Sequence, residues 1–406
     1  MSEFHNPSWT PLDLLHHLQQ DTPLFVLDVR NRDEFSRFRL EGRTPLPALN
    51  LPYFEMLELG GEDDMLDSLT AYLRRELPTQ LPRDTQILTV CAKGDTSAFT
   101  ADALRRLDFT PVNLSGGMKA WAELYTTTPI IESTDLSIYQ IARPARGCLS
   151  YLATSHGEAI ILDPLRHTAP YIELATAHQL RIIAVVDTHA HADHISGGPP
   201  LAAHFGAPYY LHPYDAIHPA DLLPARIPYE PLRDGAQLSF GNQHLHALHI
   251  PGHTLGLTAL LLDDRYLFCG DSLFLHSIAR PDLGGNAAAW APLHTRSLRR
   301  LLALPDSITI LPGHFSSLAE THAGLCSASL RALKHHNPGL LALQQGTDGD
   351  FVQYLLDNLP APNEDYIDIK RVNAGLKTPS EEDAWSLELG KNVCGLAASA
   401  ANTGGS

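Results

Sequence analysis

"IIAVVDTHAHADH", residues 182–194, runs from an apolar, largely β-branched stretch straight into three histidines and an aspartate. Ile182 to Val186 shows no polar alternation, as expected of a strand buried on both faces, and the run breaks at Asp187. His189, His191, Asp193 and His194 therefore fall in the loop at the strand's end, where a rigid sheet commonly presents reactive side chains. Three later apolar runs stop the same way, with His253 in "PGHT" (251–254), Asp271 in "CGDS" (269–272) and His314 in "LPGH" (311–314). With 22 histidines in the chain, any single one is weak evidence. Imidazole and carboxylate donors gathered at four strand ends, flanked by turn-permitting glycines, indicate bound metal. Donor counting leaves open whether one ion or two is held, and whether the chemistry is hydrolytic or oxidative.

The surrounding sequence supplies the frame. "LSIYQIA" (136–142), "CLSYLAT" (148–154) and "EAIILDP" (158–164) precede the histidine loop. "LHALHI" (245–250), "LTALLL" (257–262), "YLFCG" (266–270) and "ITILPG" (308–313) follow it. Closely spaced strands with intervening helices predict two packed sheets with helices outside. His244, His246 and His249 read as exposed or packing residues. Beyond about residue 320 the pattern is helical, as in "FVQYLLDNL" (351–359), and the small polar "AASAANTGGS" (397–406) is expected to be disordered.

The first third has a different rhythm. Thr10-Pro11 predicts a helix start, "LFVLDV" (24–29) and "QILTV" (86–90) predict strands, and "DDMLDSLTAYLRREL" (63–77) and "SAFTADALRRL" (97–107) predict helices. Alternating strands and helices imply a parallel sheet, hence an α/β domain followed by an α+β domain. "CAKGDTS", residues 91–97, places Cys91 at a strand's C-terminal end before a helix, where loop amides and the helix's positive end stabilise a thiolate and hold an anion. We divide the chain into 1–128, 129–372 and a C-terminal helix with flexible tail, 373–406, with "TTTPI" (126–130) as the linker. No internal repeat is found.

Composition narrows the function. A chain of 406 residues suits two domains, and its formal charge of −17 opposes a phosphate backbone, which argues against nucleic acid as partner. No apolar run approaches the ~20 residues of a membrane span, and the first residues lack a secretory pattern, so a cytoplasmic protein without a membrane partner is expected. Cys91, Cys148, Cys269, Cys326 and Cys394 form no CxxC pair and imply no disulfide framework. Cys148 and Cys269 read as packing residues, while Cys394 is a candidate resolving thiol.

The ordered series THAHADH, PGHT, CGDS and LPGH resembles the metallo-β-lactamase superfamily over about residues 136–320, which implies an αββα sandwich. Within it, glyoxalase II-type hydrolases imply two zinc ions: His189, His191 and His253 on one, Asp193, His194 and His314 on the other, with Asp271 bridging. Persulfide dioxygenases imply one Fe(II) per chain on His189, His253 and Asp271, with His191, Asp193, His194 and His314 as supporting neighbours. Two imidazoles and one carboxylate leave positions open for O2 and substrate.

"FVLDVRNRDEF" (25–35), "CAKGDTS" (91–97) and "TPVNLSGGMKAW" (110–121) resemble a rhodanese domain over about residues 8–125. The resemblance implies Cys91 as a sulfur-carrying nucleophile and Ala92, Lys93, Gly94, Asp95, Thr96 and Ser97 as an anion cradle. Many rhodaneses carry an arginine near the loop's end. Here Asp95 and Thr96 stand there and Lys93 is the one cation of the loop, which disfavours thiosulfate. The pairing of the two domains implies oxidation of a thiol persulfide, such as glutathione persulfide, by O2 to sulfite, coupled to sulfane-sulfur transfer among persulfide, sulfite and thiosulfate. "GDSLFLHSIARPDLGG" (270–285) resembles such fusions more than glyoxalase II, and offers Arg280 and Asp282 to orient Asp271, to bind a substrate carboxylate, or to form a purely structural ion pair. The thiol carrier and the oligomeric state are not legible, and a homo-oligomer is compatible.

Overall fold

The computed structural model describes residues 7–62, 64–76, 80–361, 363–390 and 392–396. The chain divides into two compact units, one mainly of residues up to Tyr125 and one mainly of Thr126 onward. The second unit thus begins on "TTTPI", which is not a free linker. Pro129 and its neighbours form an edge strand, where a residue without an N–H is tolerated.

In the first unit β1 (Ser8–Trp9), β2 (Leu24–Asp28), β3 (Ala48–Asn50), β4 (Gln86–Val90) and β5 (Pro111–Leu114) form one parallel sheet ordered β1-β5-β4-β2-β3. The helix Pro11–Gln19 starts as predicted: the Thr10 hydroxyl accepts from the Asp13 amide, and the Asp13 carboxylate accepts from the Thr10 amide, a reciprocal cap. β4 is central because its residues are almost all buried. Leu27, Ile87, Leu69, Leu73 and Leu104 share its apolar core, each contributing ~1.5–3 kcal/mol by burial. Cys91 follows β4 directly, and the helix Asp95–Arg105 begins four residues later.

The second unit holds two sheets. The first, ordered β12-β11-β10-β9-β8-β7-β6, contains β6 (Thr126–Ile131), β7 (Ser137–Arg143), β8 (Cys148–Ser155), β9 (Glu158–Leu162), β10 (Arg181–Val186), β11 (Tyr209–Leu211) and β12 (Glu230–Pro231). The other runs β13 (Gln237–Phe240), β14 (Gln243–His249), β15 (Thr258–Leu262), β16 (Tyr266–Gly270), β17 (Thr309–Pro312) and β18 (Ala328–Ser329) in sequence order. Every residue of β7, β8, β15 and β16 is buried, so both faces of each sheet are covered. The Tyr151 ring of β8 meets the Phe268 ring of β16 at 5.1 Å, and its hydroxyl donates to the Pro312 carbonyl at 2.6 Å, joining sheet to sheet. The fold is an α+β sandwich preceded by a rhodanese-like α/β domain. Among the described residues no helix is long and apolar enough to cross a membrane.

The segment from 373 onward is not a loose appendage over its described part. Asn373 donates to the His191 and His194 carbonyls, and Glu388 accepts from the Ile195 amide, so these residues clamp the histidine loop. Residues 397–406, expected to be disordered, lie outside the described residues.

Gly117 tests how tightly the Cys91 loop is packed. Its φ is +59°, and a Cβ there would lie 2.3 Å from the Cys91 carbonyl, whereas one at Gly61 (φ +73°) would meet nothing within 4 Å. Gly117→Ala should cost more than ~2 kcal/mol and Gly61→Ala ~1 kcal/mol. Urea unfolding of the two variants measures the difference, and equal losses would contradict this packing.

Candidate metal centre and thiol site

Four strand ends deliver the donors: the loop after β10 brings His189, His191, Asp193 and His194, and the ends of β14, β16 and β17 lead to His253, Asp271 and His314. All seven side chains are buried. Charged and polar groups at such depth need partners, and three further aspartates, all buried, supply the framework. Asp163 accepts from the Thr188 amide (2.6 Å) and hydroxyl (2.9 Å). Asp187 accepts from the hydroxyls of Ser196 (2.5 Å) and Tyr209 (2.7 Å). Asp215 accepts from the Ala190 amide (2.8 Å), the Thr254 hydroxyl (2.6 Å) and the Gly256 amide (2.7 Å), tying the His189 loop to the His253 loop.

These contacts orient the imidazoles. The Thr188 hydroxyl donates to Asp163, so it accepts from His189 Nδ1 at 3.0 Å and leaves Nε2 a lone pair. His253 Nδ1 donates to the Arg280 carbonyl at 2.9 Å, with the same consequence. Asp271 Oδ1 accepts from His314 Nδ1 at 2.7 Å, which leaves Oδ2. His189 Nε2, His253 Nε2 and Asp271 Oδ2 are buried without any hydrogen-bond partner, lie 3.8 and 3.5 Å apart from histidine to carboxylate, and all fall within 4.8 Å of one another. Three orphaned donor atoms converging on one point fit a cation. Burial, together with the neighbouring histidines, keeps His189 well below the ordinary imidazole value, and burial lowers His253 too; a neutral ring is the ligating form.

The other donors are engaged differently. Asp193 Oδ2 accepts from His314 Nε2 (2.9 Å) and from the Asn392 amide (3.0 Å), with His194 Nδ1 at 3.1 Å. Burial opposes a charged His314, but Asp271 and Asp193 on its two sides raise it well above the ordinary histidine range, so it donates from both nitrogens. His194 Nε2 and both His191 nitrogens have no hydrogen-bond partner, although His191 Nε2 lies 3.3 Å from Asp163 and 3.6 Å from Asp187. Gly313 is required where it stands, because a Cβ would sit 2.3 Å from Asp271 Oδ1.

Two cysteines belong to this centre, contrary to the sequence reading. Cys148, read as packing, is indeed buried, but it pairs in backbone with His314, and its sulfur lies within 4.8 Å of donor atoms of Asp193, His194 and His314. Burial and Asp193 push its thiol up, yet His314 and His194 draw it down to about 7. Cys394, read as a resolving thiol, is fully buried beside Asp193 and Asp271, and burial raises it well above the ordinary thiol value. No local pattern could have placed either, since their neighbours come from distant strands and loops. For Arg280 the structure favours the structural ion pair over substrate binding. Its guanidinium is engaged by Asp282 (2.6 and 2.7 Å) and by the carbonyls of Pro360, Ala361 and Val393, which leaves it positioning these loops rather than open to a substrate carboxylate. Asp282 serves that pair and not Asp271. His244 and His246 are exposed, and His249 stacks on His212 at 4.2 Å.

In the first unit, Cys91 Sγ accepts from the Gly94 amide (3.0 Å) and lies 3.2 Å from the Ser97 hydroxyl. Burial pushes the thiol up, but hydrogen bonds from Ser97, Thr96 and the loop amides outweigh it and hold Cys91 below the ordinary thiol value. Asn113 anchors the loop by donating to the Gly94 carbonyl at 3.0 Å. Lys93 is not the only cation beside the loop, because Arg105 lines the same cavity, with Asp102 paired to it at 2.6 Å.

Residues 143–314 match the metallo-beta-lactamase superfamily, and residues 10–124 match the rhodanese-like domain. A hydroxyacylglutathione hydrolase of Nitrosomonas eutropha is 32% identical over 217 residues, 52% of this chain and 74% of that protein. The chain belongs to the metallo-beta-lactamase superfamily. An uncharacterized protein of Mycobacterium tuberculosis, strain H37Rv, is 32% identical over 184 residues, 39% of this chain and 81% of that one. The crystal structure of a metallo-beta-lactamase from Staphylococcus aureus subsp. aureus COL is similar at 28% identity and a TM-score of 0.54, covering 60% of this chain and 74% of that one. The buried donor cluster stands where this superfamily keeps its metal site, at the strand ends of the sandwich.

Ser97→Ala removes the hydroxyl that holds the Cys91 thiolate. The pH dependence of Cys91 alkylation by iodoacetamide, followed by mass spectrometry, should move to higher pH, with slower labelling at neutrality. An unshifted profile would show that the loop amides alone set its acidity.

Proposed function

We propose that this chain oxidises a low-molecular-weight thiol persulfide with O2 at one Fe(II) held by His189, His253 and Asp271, and that Cys91 carries sulfane sulfur in the same metabolism. One RSSH, one O2 and one water give RSH, sulfite and two protons: the outer sulfur loses four electrons and O2 gains them. At Cys91, a persulfide gives its outer sulfur to sulfite, forming thiosulfate and restoring the thiolate, or runs in reverse.

The carrying observation is an asymmetry of partners. The three donors of an open two-histidine, one-carboxylate site have orphaned atoms facing one point, while of the donors a second ion would need Asp193 and His314 are bonded to each other and to their neighbours and only His194 Nε2 is without a hydrogen-bond partner. Bound iron would supply the capacity to bring O2 and an anionic sulfur together. The protein's own part is positioning. Thr188 and the Arg280 carbonyl hold both ligand imidazoles in the tautomer that presents Nε2. His314 takes Asp271 Oδ1, which leaves Oδ2 beside His189 Nε2 and His253 Nε2 as the oxygen that would hold the ion. Loop amides and the Ser97 hydroxyl receive negative charge on the Cys91 sulfur.

A second reading, a dinuclear zinc thioester hydrolase of glyoxalase II type, is favoured by the hydroxyacylglutathione hydrolase relatives. The same relatives support glutathione as the thiol carrier in either reading. Anaerobic metal analysis with oxygen uptake on glutathione persulfide separates the two. One iron and stoichiometric oxygen consumption are expected; two zincs, no uptake and rapid thioester hydrolysis would overturn the proposal. Asp271→Asn should lose the metal and at least ~100-fold of oxygen uptake while keeping sulfur transfer. Cys91→Ser should do the reverse, and loss of both activities in either variant would refute two independent sites.

A further inference from the structure

Asn392 stands in the described part of the C-terminal segment, and its orientation is fixed. Its Oδ1 accepts from the Cys394 amide at 2.7 Å, so its N–H groups face the other way, and one donates to Asp193 Oδ2 at 3.0 Å. The backbone around it cannot drift. The Val393 amide donates to the Tyr366 hydroxyl (3.0 Å), and the Val393 carbonyl accepts from Arg280 Nη1 (3.3 Å). The Cys394 carbonyl accepts from the Arg280 amide (2.9 Å), and the Leu396 amide donates to the Ile278 carbonyl (2.9 Å). Arg280 therefore holds the segment through its guanidinium and its amide, while its own carbonyl holds His253.

We infer that Asn392 sets the metal count of the centre: its carboxamide caps the Asp193 oxygen that a second ion would need, and so restricts the site to the ion on His189, His253 and Asp271. The inference rests on the one-ion reading above. Asp193 Oδ2 already takes hydrogen bonds from His314 Nε2 and Asn392, with His194 Nδ1 at 3.1 Å and Cys148 Sγ at 3.5 Å, so the lone pairs a ligating oxygen would offer are in use. His194 Nε2, buried and without a hydrogen-bond partner, is the donor left waiting on that side, and Cys148 Sγ lies within 4.8 Å of it. A cation that binds Asp193 Oδ2 must displace a neutral amide that the chain itself holds in place.

The charge of residue 392 then decides the outcome. In Asn392→Asp the N–H donor becomes a second carboxylate facing Asp193 Oδ2, and two carboxylates so close favour a cation between them. Asn392→Ala removes the cap without adding a donor, and leaves the backbone ties to Arg280 intact. The full chain, stripped of metal and titrated anaerobically with Co(II), is read by elemental analysis after dialysis and by its visible absorption. Wild type should saturate at one cobalt per chain, Asn392→Asp at two, and Asn392→Ala should gain a second, weaker step. The double variant Asn392→Asp/Asp271→Asn should lose an ion from the triad and keep the new one, which assigns the gain to the Asp193 side. One ion in wild type and one in both single variants would overturn the inference while sparing the one-ion reading. Two ions in wild type would overturn both.

Discussion

Buried carboxylate charge is the constraint on which the second unit depends. Asp163, Asp187, Asp193, Asp215 and Asp271 all sit in the interior near the same four loops. An ionised carboxylate removed from water is tolerable only when hydrogen bonds or opposite charge replace the lost hydration. Asp163 and Asp215 meet that demand with amides and hydroxyls, and in doing so hold the loops that carry His189 and His253; Asp187 meets it on Oδ2 through two hydroxyls, with its Oδ1 3.6 Å from His191 Nε2. Asp193 meets it with His314, His194 and Asn392. Asp271 is satisfied on Oδ1 alone. Its Oδ2, with two imidazole nitrogens close by, is where the interior lacks positive charge. The same demand that shapes the loops thus leaves three donor atoms turned toward one point.

The C-terminal segment is part of this arrangement rather than a cover over it. Asn373 reads the carbonyls of His191 and His194, Glu388 receives the Ile195 amide, and Asn392 reaches Asp193. Each bond ends on the backbone or side chains of the single histidine loop. Arg280 links that segment, through its buried guanidinium, to the His253 loop, through its carbonyl, and Asp282 balances its charge. A loop between sheet ends, held from both sides, keeps its donors in register without needing a regular element of its own.

Strands and donors were legible because each is a local property. "QILTV" is β4 residue for residue, "YLFCG" is β16, and the polar residue after each apolar run marked the donors. What could not be read depends on tertiary pairing. Cys148 looks like any strand cysteine until the start of β8 is laid against Gly313 and His314, with the Leu149 amide donating to the Gly313 carbonyl. Asp163, Asp187 and Asp215 look like ordinary strand-end or turn aspartates until their acceptors are seen to meet loops from elsewhere. Arg280 drew a ligand reading because a charged residue near a metal motif invites one; its partners are carbonyls far along the chain. "TTTPI" looked like a linker because Thr and Pro are common there, while an edge strand tolerates the same composition.

The chain's formal charge of −17 bears on the proposed sulfur chemistry. Persulfide, sulfite and thiosulfate are anions, and a net negative surface opposes their approach. Both sites answer locally. At Cys91 the positive potential comes from amides and a hydroxyl at a helix start, which stabilise a thiolate without placing a full cation in the loop's interior. In the second unit, on the proposed function, the triad ligands carry one negative charge between them, so a divalent ion held there would keep net positive charge for an anionic sulfur. A second ion would raise that charge and favour a bridging hydroxide, a nucleophile suited to carbonyl carbon. The hydrogen bonds that hold Asp193 and His314 are what the proposed one-ion chemistry rests on, since a hydroxide shared between two metals would require both side chains to be released.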